Sequence, residues 1–278
     1  MTIIDFRVRP PAKGFLNMIM YKDDARSIRL AQRLGLKLAP SAQQKSMNLL
    51  LSEMDAGGIT LGVVPARISD FFGSVSNEDV ADIVKSHSGR FIGFAAVDPT
   101  NRKAAIRQID DALSAGFKGV NIEPGAYPVA LYPDDRRLYP IYAHCEDRDV
   151  PIMIMSGGNA GPDLSYSFPV HVDRVAADFP NLKIVISHGG WPWVHEILHI
   201  AFRRLNVYLA PDVYLHGMPG ADEYIKAANG FLAERFLYAS CYPFAPVKEY
   251  AEWFQRLPLQ PAVLERALWR NAAELLHI

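Results

Sequence analysis

Short, almost entirely apolar runs alternate along the chain with longer amphipathic segments, and this alternation predicts strands followed by helices. The strand-like runs occupy residues 2–6, 59–64, 90–97, 117–122, 151–155, 182–187, 206–210 and 235–240. The helix-like segments occupy residues 42–56, 76–88, 101–115, 134–148, 168–178, 191–203, 219–232 and 246–256. Strands that are apolar on both faces are typical of a parallel sheet covered by helices on either side.

Eight strands in strict alternation with eight helices predict an α/β fold with a single (β/α)8 TIM barrel over residues 1–278. The competing layout is an open doubly wound sheet, which often has a glycine-rich first turn. Here the first strand leads into "RVRPPAKGF", which has no such turn. An insertion at 10–41 is expected to hold a short helix at 24–34 and to form a lid over the barrel mouth. Residues 261–278 are expected to form two short helices on the side of the barrel.

Composition and charge narrow the classes of partner. The chain is 50% hydrophobic and 21% charged, with a formal net charge of −1, so neither nucleic acid nor an anionic membrane surface is indicated as a partner. No apolar run approaches the roughly 20 residues that span a bilayer, and the first residues lack the pattern of a secretory signal. Two cysteines are too few for a disulfide framework. We therefore expect a cytoplasmic protein that binds a small molecule, and a homo-oligomer is compatible with the sequence.

Polar residues follow most of the predicted strands, at the end where TIM barrels carry their chemistry. In chain order these strand-end residues are Arg7, Arg9, Arg67, Asp98, Asn121, Glu123, Met155, Ser156, His188, Asp212 and Cys241. Because the carboxyl ends of parallel strands meet at one mouth, we expect Arg7, Arg9, Glu123, His188 and Cys241 to share one pocket.

Several stretches resemble the amidohydrolase superfamily, in its amidohydrolase-related (amidohydrolase 2) branch. They are "IIDFRVRP" at the start, "DFPNLKIVISHGGWPWVHEILHIA" at 178–201, "NVYLAPDVY" at 206–214, "RFLYASCYPF" at 235–244 and "RNAAELLHI" at the end. Members of this branch include metal-dependent hydrolases, hydratases and non-oxidative decarboxylases of small, often aromatic-derived carboxylic acids. The resemblance therefore implies an enzyme with a small anionic substrate.

The chain departs from the family at the metal-binding positions. Where the family has ligands, this sequence has Arg7 and Arg9 on strand 1, Met155 after strand 5 and Cys241 in place of an aspartate that ligates metal and carries a proton. Two arginines repel a dication, and methionine is a soft ligand for a hydrolytic metal. We therefore expect the inherited divalent-metal site to be lost and no cofactor to be bound. The alternative is a zinc ion held by Cys241, His188 and Glu123.

The arginines Arg7 and Arg9 lie two residues apart on one strand, so their side chains share a face. We expect them to bind a substrate carboxylate, because a guanidinium fork matches a carboxylate in bidentate fashion. The alternative is an internal network with Glu123, Asp98 or Asp212.

The remaining site residues are assigned roles by their chemistry and by the resemblance. His188 is expected to act as acid, base or hydrogen-bonding group, and Glu123 or Asp212 as the base that activates water. Cys241 is either a catalytic nucleophile or a small packing residue. Two aromatic residues are expected to bind substrate as walls of the pocket, Trp191 and Tyr242.

Hydrolysis of a lactone or a similar ester-like bond, without a bound metal, is the first expectation for the reaction. A non-oxidative decarboxylase or a hydratase of the same branch is the alternative chemistry. A barrel that binds a small carboxylate without catalysis is the alternative from another class of function.

Overall fold

Seven parallel strands form a single sheet in the order of the chain, in a computed structural model that describes residues 2–159 and 161–278. The strands are β1 (Ile3–Asp5), β2 (Ile59–Pro65), β3 (Phe91–Ala96), β4 (Gly119–Ile122), β5 (Ile152–Met155), β6 (Ile184–Ser187) and β7 (Val207–Ala210). Each strand pairs in parallel with the next, from β1 with β2 to β6 with β7. The prediction of an α/β fold with a TIM-barrel-like parallel sheet is confirmed.

Helices connect successive strands, as the pattern predicts. They are α1 (Ile19–Lys22), α2 (Asp24–Arg33), α3 (Pro40–Gln43), α4 (Met47–Ala56), α5 (Asn77–Ser86), α6 (Arg102–Ser114), α7 (Tyr139–Asp147), α8 (Val170–Asp178), α9 (Val194–Arg203), α10 (Ala221–Ala228), α11 (Val247–Phe254), α12 (Pro261–Glu265) and α13 (Asn271–Leu276). A π-helical turn joins the last two helices, Arg266–Arg270. None of the described helices is long and apolar enough to cross a membrane.

The eighth strand, predicted at 235–240, does not form as a regular strand among the described residues. The segment lies between β7 and β1, where Leu237 N–H donates to Leu209 O at 2.9 Å and Phe6 N–H donates to Tyr238 O at 3.0 Å. However, the N–H of Tyr238 donates to a carbonyl of the π-helical turn, and the N–H of Ser240 donates to the Asp5 carboxylate. These two diverted hydrogen bonds break the ladder, so the gap between β7 and β1 is closed by an irregular segment.

The interior of the sheet is filled by apolar side chains from successive strands. Phe6 and Phe94 meet edge to face, with ring centroids 5.6 Å apart. Gly119 on β4 makes room for this pair, since a Cβ there would lie 2.4 Å from the Phe94 ring. A bulkier residue at this position would push the ring out of the core. Because the core is filled by side chains, a ligand can bind only at the mouth above it.

Residues 10–41 run across the carboxyl ends of the strands. Within them α2 follows Asp23, whose side chain caps the helix by accepting from the N–H of Arg26 at 2.8 Å. The helix buries Ser27 and Ala31, and its other side faces outward. That this segment opens and closes as a lid stays a prediction.

Asp5 provides a test of how the irregular segment is anchored. Its Oδ1 accepts from the backbone N–H of Arg7 at 3.1 Å and of Ser240 at 2.8 Å. Burial raises the Asp5 pKa from 3.8 to about 6, although these hydrogen bonds oppose the shift. Between these two values the folded protein keeps a proton on Asp5 that the unfolded chain loses. The stabilisation that this proton provides is complete below pH 3.8 and disappears as the pH rises through 6.

We predict that Asp5→Asn, which keeps the accepting oxygen, becomes more stable relative to the wild type as the pH rises from 4 to 7. The free energy of unfolding of the wild type, relative to the variant, should fall by roughly 3 kcal/mol over this range. Urea unfolding at several pH values measures the difference, with the exposed Asp147→Asn as a control for net charge. A difference that stays constant or grows with pH would contradict the assignment.

Candidate active site

Three side chains meet at the mouth because the backbone turns in the same unusual way at each. His188, Asp212 and Cys241 follow β6, β7 and the irregular segment, and their φ angles are 64°, 50° and 57°. Left-handed backbone is costly for residues other than glycine, at roughly 1–3 kcal/mol each. The repeated strain brings a nitrogen, an oxygen and a sulfur within 4.8 Å of one another. Strain of this kind concentrates at functional sites.

Arg7 lies beneath this cluster, and its two terminal nitrogens contact protein groups, while its buried Nε has no hydrogen-bond partner among the described residues. Its Nη1 is 2.8 Å from His188 Nε2 and 3.3 Å from Asp212 Oδ2, and its Nη2 is 3.9 Å from Glu123 Oε1. The contacts of Arg7 are thus those of an internal network, which is the alternative to carboxylate binding that the sequence left open for this arginine. It leaves this arginine few donors for a ligand.

His188 is held as a neutral imidazole. Burial, followed by the positive charge of Arg7, lowers the His188 pKa to about 4. Since a guanidinium can only donate, Nε2 accepts from Arg7 and the ring proton lies on Nδ1, which is 2.9 Å from Asp212 Oδ2. Burial favours the neutral form of Asp212, but His188 and Arg7 outweigh it and hold the Asp212 pKa below its ordinary value.

Glu123 is paired with Arg67, a residue that the sequence placed at a strand end but did not assign to the site. Arg67 Nε donates to Glu123 Oε2 at 2.6 Å, and its guanidinium lies over the Phe72 ring at 4.9 Å. Burial raises the Glu123 pKa, but Arg67 and Arg7 reverse this and keep the carboxylate ionised. The Nη1 of Arg67 is buried and has no hydrogen-bond partner among the described residues.

Arg9 has no carboxylate within 4 Å among the described residues. Its Nη1 makes only two long contacts, 3.4 Å to Cys241 Sγ and 3.5 Å to Tyr242 O. Burial, then the charge of Asp212, raises the Cys241 pKa despite the nearby arginines. The thiol is therefore protonated at neutral pH, and Arg9 keeps a buried positive charge without an anionic partner.

A cavity opens onto these groups. Its polar lining includes Arg9, Arg67, His188 and Cys241. Its apolar walls include Phe72, Met155 and Tyr214 from the barrel and Met20, Leu30 and Leu34 from the segment that crosses the mouth. Apolar walls with a few convergent polar groups are typical of a site for a small molecule.

The two aromatic residues expected to wall the pocket lie behind it. Trp191 stacks on Tyr214, with ring centroids 4.9 Å apart, and the Tyr242 hydroxyl lies 2.9 Å from Ser41 Oγ. Neither side chain belongs to the cavity lining, whereas Tyr214 and Phe244 do. The aromatic side chains at the mouth come from turns whose direction the sequence did not indicate, so a direct substrate contact by Trp191 or Tyr242 stays a prediction.

A model of the amidohydrolase family matches residues 4–278. A TIM-barrel protein of Bordetella bronchiseptica, described as uncharacterized, is 49% identical and has a TM-score of 0.97, covering 100% of this chain and 99% of that chain. Gamma-resorcylate decarboxylase of Polaromonas sp. strain JS666 is 24% identical over 73% of this chain and 75% of its own length.

A dihydroxybenzoic acid decarboxylase from the same Polaromonas strain was solved with bound manganese and the inhibitor 2-nitroresorcinol. It is 20% identical, with a TM-score of 0.72, and the match covers 99% of this chain and 97% of that chain. At this identity the likeness shows a shared fold.

The prediction that the metal site is lost and no cofactor is bound is wrong. The decarboxylase of similar fold carries manganese, and here His188, Asp212 and Cys241 offer three ligand atoms within 4.8 Å of one another. The zinc alternative named Glu123 as the third ligand, but Asp212 takes that place while Glu123 pairs with Arg67. The sequence could not show this, because the left-handed turn at Asp212 decides where its carboxylate lies.

The donor atoms fit a transition metal of intermediate softness. Imidazole nitrogen, carboxylate oxygen and thiolate sulfur are all accepted by zinc. A harder ion such as manganese would rely on His188 and Asp212 and leave the thiol of Cys241 protonated. The Nε2 lone pair of His188 accepts from Arg7 Nη1, which also donates to Asp212 Oδ2, so a metal ion that binds this nitrogen has to displace the guanidinium.

We predict that protein stripped with a chelator binds one zinc ion. Cys241→Ala should weaken this binding by more than about tenfold, since loss of even an outer-shell partner costs roughly 10–100-fold in affinity. Cobalt in place of zinc should give a thiolate charge-transfer band in the wild type that the variant lacks. Cys145→Ala removes the other buried thiol, in α7, and is the matched control. Equal zinc affinity in both variants would contradict the site.

Proposed function

The chain belongs to the amidohydrolase family, and from that premise we propose that it is a non-oxidative decarboxylase of a small aromatic carboxylic acid held by Arg9 and Arg67. The observation that carries the proposal is the buried charge of Arg9, which has no carboxylate partner among the described residues, beside the unpartnered Nη1 of Arg67. The names of similar proteins, which include a gamma-resorcylate decarboxylase, support this chemistry over hydrolysis.

A carboxylate between the two arginines would relieve an electrostatic strain. Burial, followed by the positive charges of Arg9 and Arg7, lowers the Arg67 pKa to about 10 against the opposing effect of Glu123. An anion that accepts from both guanidinium groups offsets this repulsion, and each charged hydrogen bond contributes about 1.5–3 kcal/mol. The apolar walls would hold the ring of the substrate and exclude water.

Arg67 therefore replaces Arg7 in the pair expected from the sequence. Both Arg9 and Arg67 line the cavity, whereas Arg7 does not, and its Nη1 and Nη2 are directed to His188, Asp212 and Glu123. In this assignment Arg7 is a positioning residue that keeps His188 neutral.

In the reaction the bond between the ring and the carboxylate carbon breaks, carbon dioxide leaves, and the electron pair stays on the ring carbon, which takes up a proton. We assign the proton to the thiol of Cys241, which stands where the family pattern has a proton-carrying aspartate. The thiolate left behind lies 3.4 Å from Arg9 Nη1, which stabilises its charge until water returns the proton.

A metal ion, when bound, would be held by His188 and Asp212, with Cys241 as a third ligand for a soft ion, and would act as a Lewis acid toward a substrate oxygen. A thiolate ligand has already lost its proton. Zinc binding and proton donation by Cys241 therefore exclude each other, and the metal content of the protein has to be measured in each assay.

Lactone or ester hydrolysis, the first expectation, has less support. A hydrolase needs a base that is free to activate water. Glu123 is paired with Arg67, and the Nε2 lone pair of His188 accepts from Arg7. Asp212, the other candidate base, accepts from His188 Nδ1 and Arg7 Nη1. No carboxylate or imidazole of the predicted set is free to act as that base.

We predict that at least one aromatic acid from a panel of hydroxybenzoates loses carbon dioxide with this protein. Arg9→Met and Arg67→Met should lower kcat/KM by about 10- to 100-fold, which corresponds to about 1.5–3 kcal/mol of lost carboxylate binding. Cys241→Ala should lower kcat and leave KM little changed. Release of carbon dioxide and loss of substrate absorbance measure the reaction.

Arg7→Met, two residues before Arg9, is the matched control. It leaves Asp212 and Glu123 buried with fewer partners, so it should lower the melting temperature far more than Arg9→Met does. Hydrolysis of a lactone panel, with no acid decarboxylated, would instead favour the hydrolase. Binding of acids without turnover of acids or lactones would favour a non-catalytic barrel.

A further inference from the structure

A second recess lies outside the central cavity, along one face of α2. It has an empty volume of about 780 Å³ and is lined by Arg26, Arg29, Arg33, Leu30 and Asn159. The three arginines are three and four residues apart, so they lie along one side of the helix. Among the described residues, no carboxylate lies within 4 Å of any of these arginines.

The recess adjoins the central cavity. Arg26, Leu30 and Asn159 line both, so they mark the border between the two spaces. Arg26 is held at this border with its guanidinium 5.4 Å from the centre of the Phe71 ring.

The acids at the start of α2 do not neutralise the recess. Asp23 accepts from the N–H of Arg26 as the helix cap, and Asp24 pairs with Lys45 at 3.4 Å. The arginines of the recess therefore present their charge to whatever occupies it. Planar guanidinium groups suit carboxylate and phosphate oxygens.

We propose that this recess is a second anion subsite, and that the substrate carries, at the end away from Arg9 and Arg67, a second anionic group of the carboxylate or phosphate type. The inference rests on the proposed function, since it takes the first carboxylate to lie at Arg9 and Arg67. It narrows the substrate from a simple aromatic acid to a dianion whose length bridges the two spaces.

The test compares ligands of nearly equal size and different charge. Isothermal titration measures binding of monomethyl terephthalate, terephthalate and 4-carboxyphenyl methyl phosphate to the wild type and to Arg29→Gln/Arg33→Gln. The wild type should bind one of the dianions about tenfold or more tightly than the monoester, because of the added charged hydrogen bonds. The variant should lose this gain and keep its affinity for the monoester. The preferred dianion distinguishes a carboxylate from a phosphate as the second group.

A control variant with the same loss of charge, Arg107→Gln/Arg136→Gln, should keep the gain, since both positions lie away from the recess. If the Arg29→Gln/Arg33→Gln variant weakens monoester and dianions equally, the arginines act only through the general field and the subsite is overturned. Monoester binding that depends on Arg9, without any gain for a dianion, overturns the subsite alone. Failure of every probe to bind overturns both the subsite and the carboxylate site at Arg9 and Arg67.

Discussion

The burial of three arginines above the sheet, with two carboxylates to pair with them, is the constraint on which the site depends. Asp212 with His188 engages Arg7, and Glu123 engages Arg67. Arg9 is left with a thiol and a carbonyl as its partners. A buried cation without an anion costs several kcal/mol, so this arrangement favours a ligand that brings the missing charge.

The same constraint separates the roles of arginines that look alike in the sequence. Arg7 and Arg9 are two residues apart just after β1, yet the terminal nitrogens of Arg7 contact the network while Arg9 lines the cavity. The network also sets the state of His188, whose neutral ring is held between a donor and an acceptor. Charge, tautomer and ligand affinity are therefore consequences of one set of contacts.

The sequence predicts most of the architecture, because the local pattern of hydrophobic and polar residues indicates apolar strands and amphipathic helices. It could not predict the irregular segment at 235–240, where the Asp5 carboxylate and a distant carbonyl divert the backbone hydrogen bonds. The residues that follow the predicted strands include those that meet at the mouth, among them His188 and Cys241. The sequence did not show the ligand role open to Asp212, because a left-handed turn, which no local pattern indicates, directs that side chain.

The central claim is that Arg9 and Arg67 hold the carboxylate of the ligand. A crystal structure of the protein with benzoate tests it most directly. We predict both carboxylate oxygens within about 3 Å of guanidinium nitrogens of Arg9 and Arg67, with the ring against the apolar walls of the cavity. A carboxylate bound to Arg7 instead, or a ring seated in the cavity with its carboxylate turned away from Arg9 and Arg67, would contradict the account.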